Sequence, residues 1–317
     1  MERIFGLKKA AGFPGSIATL GVFDGVHRGH QEVLAGTVQW AGEKRVPCVV
    51  ITFDRHPEAV LRRKHPAALT SLEHRLSLIE AAGIDVALVL HFDESLAAME
   101  PEQFVREILV DHLHVGGVVL GFNGRFGKGA RGDLALLQEL GVRHGFEVRS
   151  APPLVVDGAP VSSSRVRKLV TAGRLPEASG LLGRPVSLLG TVVHGQKRGR
   201  NLGFPTANLN LHHEVTPPSG VYICRVKAGG QTRWGLVNIG TRPTFERPGV
   251  PRRKAVEVFI DGYAGDDLYG KALEVEIASF VRPERKFDSA ENLTRQMKKD
   301  LRFMRSFSRT TPGENPS

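Results

Sequence analysis

Two histidines three residues apart, His27 and His30, are the first residues of this 317-residue chain whose types and spacing suggest chemistry. They lie in GVFDGVHRGH (Gly21–His30), where an apolar run gives way to a helical pattern. Glycines there let the backbone approach a ligand closely. A helix N-terminus presents unpaired N–H groups and a positive dipole end to an anion. If the first turn is helical, both imidazoles face one point and can donate hydrogen bonds to a phosphate that gains charge in a transition state. The rival reading is a glycine turn with solvent-exposed histidines; the preceding strand and GVFDG weigh against it.

Three other segments of the first half suit phosphate handling. Ser162–Arg167 (SSSRVR) sets hydroxyls at a helix start and two basic side chains after them, which fits capping and bidentate phosphate contacts, although such a stretch taken alone is more often just a capped helix. TFDRHP (Thr52–Pro57) and GFNGRFGKGARGD (Gly121–Asp133) each follow an apolar strand, on the same rim as the histidines. The latter joins five glycines to Arg125, Lys128 and Arg131, the composition of a mobile anion-handling loop. In the second half, HGQKRGRNLGFPTANL (His194–Leu209) combines Gly195, Gly199 and Gly203 with Lys197, Arg198 and Arg200. It is not a Walker A loop, because GxxxxGK[ST] is absent. Thr206 and Asn208 of its PTAN carry hard oxygens of the kind Mg²⁺ accepts beside phosphates and water. Glu257, in the alternating run AVEVFI, reads as a solvated strand residue and becomes a candidate base only if PTAN stands opposite it.

Two kinds of scaffold must position these residues. Up to about residue 183, apolar strand-like runs alternate with amphipathic helical ones: Ile17–Phe23, Val46–Phe53, Asp85–Phe92, Val115–Gly121 and Glu147–Val156 as strands, and His30–Gly42, Ser71–Ala82, Pro101–Leu113 and Asp133–His144 as helices. That rhythm predicts a doubly wound α/β domain with a parallel sheet, which binds ligands at the carboxyl ends of its strands. Short helices over Ser162–Leu182 lead to a boundary at Gly183. Beyond it come short β-rich runs at Val186–Val193, Gly220–Lys227, Arg233–Ile239, Ala255–Ile260 and Leu273–Phe280, broken by glycines and prolines. These predict a small antiparallel barrel or sandwich, then a helix over Ser289–Phe303 and a disordered tail. The expected domains are 1–183 and 184–307, with the tail over 308–317.

The net charge of +10 is unevenly placed. Residues 1–183 carry 21 basic and 20 acidic side chains, against 22 and 13 afterwards, and nine of the 12 histidines lie in the first part. A basic balance can signal nucleic acid or phosphorylated ligands. No RNP aromatic pair, zinc finger or long basic helix supports the former. No apolar run is long enough to span a bilayer, the N-terminus has no secretory h-region, and Cys48 and Cys224 form no CxxC. The expectation is a cytoplasmic protein acting on small molecules, with neither nucleic acid nor membrane as partner.

The motifs, in this order, resemble the bacterial bifunctional riboflavin kinase/FAD synthetases over about residues 15–305. HxGH is also the hallmark of nucleotidylyltransferases. GVFDGVHRGH, TFDRHP, GRFGKGARGD and SSSRVR resemble the adenylyltransferase half. GRNLGFPTANL, GVY, VNIGTRPTF, VEVFIDGYAGDDLYGK and RPERKFDS resemble the kinase half. The resemblance implies a nucleotidylyltransferase-like N-terminal domain, a C-terminal β-barrel, and two reactions. Riboflavin is phosphorylated by Mg-ATP to FMN, and FMN is adenylylated by ATP to FAD with release of pyrophosphate. It implies that His27 and His30 stabilise charge on ATP phosphates. Gly21, Phe23, Asp24, Gly25 and Gly29 would shape the nucleotide site with them. Asn123, Ser163, Ser164, Arg165 and Arg167 would hold nucleotide or phosphates. Phe53, Asp54, His56 and Pro57 would line the flavin side, joined by Arg125, Phe126 and Asp133. In the kinase half, Thr206 and Asn208 would bind Mg²⁺, Glu257 would take the riboflavin hydroxyl proton, and Arg282 would form a flap with Phe287. Gly195, Lys197, Gly199, Arg200 and Gly203 would serve ATP and flavin there, with Phe204, Pro205 and Asn238. Departures from the family's pattern are Arg55 for Pro, Gly124 for an aromatic, Ser164 for Thr, and Phe259 at a commonly polar position. They leave a monofunctional kinase with a degenerate first half as the alternative.

Overall fold

The runs CVVITF, VALVL and VGGVVLG are rich in β-branched residues, and continuous apolar runs of this kind suit strands buried on both faces. In the computed structural model they pair in parallel. The structure describes residues 1–7, 15–61, 67–195, 203–212, 215–228, 231–241, 254–263 and 268–310. These fall into two compact units, Met1–Arg165 and Val166–Ser317.

The first unit is a six-stranded sheet of β1 (Glu2–Phe5), β2 (Ser16–Leu20), β3 (Cys48–Phe53), β4 (Val86–Leu90), β5 (Val115–Gly121) and β6 (Glu147–Ala151). Their order is β1-β4-β3-β2-β5-β6, with every pairing parallel. Alternating residues feed two cores, as the pleat requires. Val49 and Ile51 of β3 join Phe104, Ile108, Leu137 and Leu140 on one face, while Cys48 and Val50 join Leu34, Trp40, Leu76 and Ile79 on the other. Helices α1 (Arg28–Lys44) and α3 (Leu72–Ala81) therefore cover one face. The segment α5 (Pro101–Phe104) with its π-helical continuation (Val105–His112), and α6 (Leu134–His144), cover the other. The doubly wound expectation holds. The chain runs outward from β2 through β3 to β4, then returns to place β5 on the other side of β2. That reversal puts a crevice at the carboxyl ends of β2 and β5, where such sheets bind ligands.

Local departures have local causes. β1 is four residues with no periodic signal and was not legible. The segment expected as one strand to Val156 stops at Ala151, because Pro152 and Pro153 cannot donate to a ladder. It resumes as a two-residue hairpin, β7 (Val155–Val156) and β8 (Ala159–Pro160), turning on Asp157 and Gly158 at φ 52° and 73°. The short helices α2 (Pro57–Leu61) and α4 (Glu94–Ala98) were also not anticipated.

In the second unit α7 (Ser163–Thr171), begun in the first, and α8 (Leu175–Leu182) precede a closed antiparallel barrel. Gly183 caps α8 in the left-handed region. The barrel strands are β9 (Ser187–Val193), β10 (Thr206–Leu211), β11 (Gly220–Ala228), β12 (Gln231–Thr241), β13 (Lys254–Ile260) and β14 (Ala272–Arg282), ordered β10-β13-β12-β11-β14-β9. Closure removes the exposed edges a sandwich would keep. One strand is new: PTAN, read as a loop, opens β10. Helix α9 (Ala290–Thr310) follows, longer than expected and covering residues assigned to the tail. It is fastened by Arg305 to both oxygens of Asp261 (2.9 and 2.8 Å) and by the fully buried Met304.

Candidate active sites

The loop after β2 is held open against its own preference. Phe23 and Val26 adopt φ 53° and 39°, strained for side chains of this kind, with Gly25 between them at 81°. Both are buried, so packing sustains the strain. The loop delivers His27 as the N-cap of α1. Its Nδ1 accepts the His30 N–H at 3.3 Å, and its carbonyl accepts those of His30 and Gln31. That acceptor role leaves the His27 proton on Nε2. The two rings stack, centroids 3.6 Å apart, with Phe23 edge-on to His30 at 5.2 Å. A Cβ on Gly29 would lie 3.3 Å from His27 Nδ1, so a glycine there lets the ring lie against the helix head. Burial first, then the neighbouring His27 and Arg75, hold the His30 imidazole well below its ordinary range, so it is neutral at pH 7.

Asp24 in the same loop is buried and does not face solvent. Its carboxylate accepts the N–H groups of Leu69 and Thr70 and the Thr70 hydroxyl (3.0–3.2 Å). Gly25 N–H in turn reaches the same hydroxyl at 2.9 Å. On the next strand, Phe53 ends β3 with its ring edge-on to Phe92 in the core. Asp54 accepts from the Phe92 N–H (3.0 Å) and meets His91 Nδ1 at 2.6 Å, with Arg55 4.0 Å away. His56 Nδ1 accepts the Glu58 N–H (3.2 Å) next to Pro57, which opens α2.

The glycine-rich loop after β5 carries its charges in pairs. Arg125 meets Asp133 at 3.0 Å, Lys128 meets Glu100 at 3.1 Å, and Arg131 shares that Glu100 carboxylate. Asp133 also caps α6 through the Leu136 N–H, and these contacts, that N–H above all, keep its carboxyl below the usual range. Phe126 is buried against Phe104, bridged to Gly132, while Asn123 is exposed at the rim. At the start of α7 the Ser162 hydroxyl caps the Arg165 N–H, and the Ser163 hydroxyl donates to the Asp24 carbonyl at 2.9 Å. Arg165 directs its guanidinium to the carbonyls of Val156 and Ala159 and to Asp157, bracing the small hairpin.

In the barrel the decisive fact is register. Asn208 of β10 lies directly opposite Glu257 of β13, and Glu257 opposite Asn238 of β12. Directly opposed residues share a face. Val256 and Val258 fill the interior, so Asn208, Glu257 and Asn238 form a polar row on the outer face, with Thr206 one pleat away. Asn208 is nonetheless buried, because Gly195 lies on it: a Cβ there would fall 2.1 Å from Asn208 Nδ2. Gly203 turns the chain at φ 81° into Phe204 and Pro205, and Phe204 packs edge-on to Phe259 at 5.8 Å. Arg282 closes β14, and its guanidinium meets the Asp300 carboxylate of α9 at 2.9–3.2 Å. Arg282 and Arg285 both lie over the Phe287 ring (5.7 and 4.7 Å).

Comparison with known proteins finds a family for each half of the chain. Residues 10–165 match the family described as FAD synthetase, and residues 182–308 the one described as riboflavin kinase. The chain is 37% identical over 311 residues to the bifunctional riboflavin kinase/FMN adenylyltransferase of Escherichia coli K12, covering 97% of this chain and 98% of that one. The enzymes of the same name from Listeria monocytogenes and Bacillus subtilis are also 37% identical, over 294 and 289 residues. The chain belongs to the bifunctional riboflavin kinase/FMN adenylyltransferase family. A crystal structure titled as a macrolide-efflux protein from Streptococcus pneumoniae has the same fold, with TM-score 0.82 and 30% identity, covering 96% of this chain and 99% of that one. Among the described residues no helix is long and apolar enough to cross a membrane.

As a member of that family the chain carries both domains, which does not favour the monofunctional alternative. Its departures acquire physical reasons. A Cβ on Gly124 would meet the Leu120 side chain at 2.5 Å, so the space of an aromatic is filled from below. Phe259 exchanges polarity for its contact with Phe204. Arg55 is mostly exposed beside Asp54. Lys197, Arg198, Gly199 and Arg200 lie outside the described residues, and Arg167 falls in the second unit. Sequence reasoning passed over Leu69, Thr70, Arg75 and His91. Only a polar pair in an apolar helix, His74-Arg75, hinted at any of them.

Proposed function

We propose that the first unit, extended to residue 183, joins AMP to FMN, and that residues 184–307 phosphorylate riboflavin. For the first reaction the supporting observation is the stacked His27–His30 pair at the head of α1, in the crevice beside β5. An FMN phosphate oxygen attacks the α-phosphorus of ATP and pyrophosphate leaves. His27 donates through Nε2, neutral His30 adds a second imidazole, and the first amides of α1 supply the rest of the anion site. Ser163 and Ser164 begin the helix α7 that completes the phosphate cradle. Asp54, His56 and Pro57 border the flavin side, and Arg125 and Asp133 its far wall.

For the second reaction the supporting observation is the Asn208–Glu257–Asn238 row. The riboflavin 5′-hydroxyl oxygen attacks the γ-phosphorus, Glu257 takes the proton, and ADP leaves. Mg²⁺ fits here: Thr206 and Asn208 offer hard oxygens next to a carboxylate, the donor set this cation takes together with phosphates. When bound it neutralises charge on the transferred phosphoryl group. Phe204 and Phe287 offer apolar surface for the flavin, and the Arg282–Asp300 pair anchors that flap to α9.

Incubating the protein with riboflavin and Mg-ATP and separating the flavins tests both assignments. FMN followed by FAD is expected. FMN alone would refute the first-unit reading, and no FMN the second.

A further inference from the structure

A buried arginine needs partners, because a desolvated charge without them is costly. Arg75 sits in the first turn of α3, only 5% exposed. Its Nη2 donates to the Phe53 carbonyl at the end of β3 (2.5 Å). The carboxylates of Asp24 and Asp54 both act on its charge, and its charge acts on His30. Asp24 precedes the histidine pair on one loop, and Asp54 lies on the other. The segment that carries Arg75 also grips the first loop independently, since Leu69 and Thr70 hold Asp24. One short stretch, residues 69–75, thus engages the loop after β2 and the end of β3.

We propose that Arg75 is a positioning residue for adenylyl transfer: hydrogen-bonded to the end of β3, and carried by the segment 69–75 that grips Asp24 of the histidine loop, this buried cation helps set the nucleotide and flavin sides of the site at working distance. The proposal rests on the reading of this unit as the FMN adenylyltransferase. Arg75 also balances two carboxylates beneath a site that must receive two anionic substrates. Burial lowers its pKa to about 10, opposed by Asp24 and Asp54, so it remains charged at neutral pH. An arginine suits the place because its planar guanidinium directs an N–H to the Phe53 carbonyl and is more weakly hydrated, hence easier to bury, than the compact ammonium of a lysine.

The test uses the full-length protein with Arg75→Met and Arg75→Lys, assayed for FAD from FMN and Mg-ATP at a temperature where unfolding curves show each variant folded. Riboflavin phosphorylation serves as an internal control. Arg75→Met should lower kcat by about a hundredfold, the scale of a misplacement near 1 Å, with KM for FMN and ATP little changed. The His30 ring titration, followed by NMR, should move up, since a cation facing it is lost while His27 and the Phe23 ring remain. Arg75→Lys should leave that titration in place and lose about tenfold in kcat, as the charge stays and the fork goes. Unchanged kcat in either folded variant overturns the proposal. So does an equal loss in both with His30 titrating as in the parent. If Arg75→Met does not fold, Arg75→Lys decides alone: full kcat overturns the proposal, and a tenfold loss at an unchanged unfolding midpoint supports it. A parent protein that makes no FAD would instead remove the reading on which the proposal stands.

Discussion

His30 shows how one side chain joins catalysis to stability. On the proposed mechanism, replacing it with Ala removes one of two imidazoles assigned to the phosphates, and FAD formation should fall by on the order of 10²–10³-fold. FMN formation should be untouched, which product analysis from FMN and from riboflavin checks separately. Its depressed pKa has a further consequence with a definite sign. The unfolded chain protonates His30 near 6.5, the folded one only at lower pH, so folding stability drops as pH falls below about 6.5. Urea unfolding at about pH 7.5 and about pH 5.5 should show that loss, and His30→Gln should flatten it. In the barrel, Glu257→Gln should lower FMN formation by about 10²–10⁴-fold and spare FAD formation from supplied FMN. These candidates could be named from the sequence because each proposed chemistry needs particular side chains at short spacing. The partners of Asp24 were not, since they lie some 45 residues away and include two backbone amides.

At the scale of elements, strand order and glycines do the positioning. The β2–β5 neighbourhood creates the crevice, and α1 must lie close across it for the histidines to reach it. Gly117 makes that approach possible, because a Cβ there would stand 2.3 Å from the Trp40 ring. Gly117→Ala should cost about 1–3 kcal/mol in urea unfolding through overpacking. Gly195 serves β10 in the same way, covering Asn208 without a side chain. Gly195→Ala should displace the Asn208 amide and lower FMN formation, while FAD formation from supplied FMN is retained. The longer helices and five barrel strands were readable from periodicity and turn residues, whereas the five-residue α2 and α4 were not. PTAN was not readable as a strand, since Pro205 and polar residues give it a loop's composition, and only pairing with β9 and β13 makes Thr206–Leu211 extended.

For the whole molecule, two chemistries on two units predict separability. His30→Ala and Glu257→Gln should each make FAD from riboflavin at least about a hundredfold more slowly than the parent, but a mixture should restore much of the rate, with FMN released by the first variant taken up by the second. The sequence by itself determined that there are two phosphate chemistries and the α/β and β-barrel classes of the two halves, and it proposed residues for each. Motifs, periodicity and turn residues are local, so they survive reading along a line. Tertiary structure alone decided that Glu257 stands opposite Asn208, that Asp24 faces inward to Leu69 and Thr70, that Arg165 braces a hairpin, and that the buried Arg75 hydrogen-bonds the end of β3. Those facts depend on strand order and register, which bring together groups tens of residues apart and which no local pattern encodes.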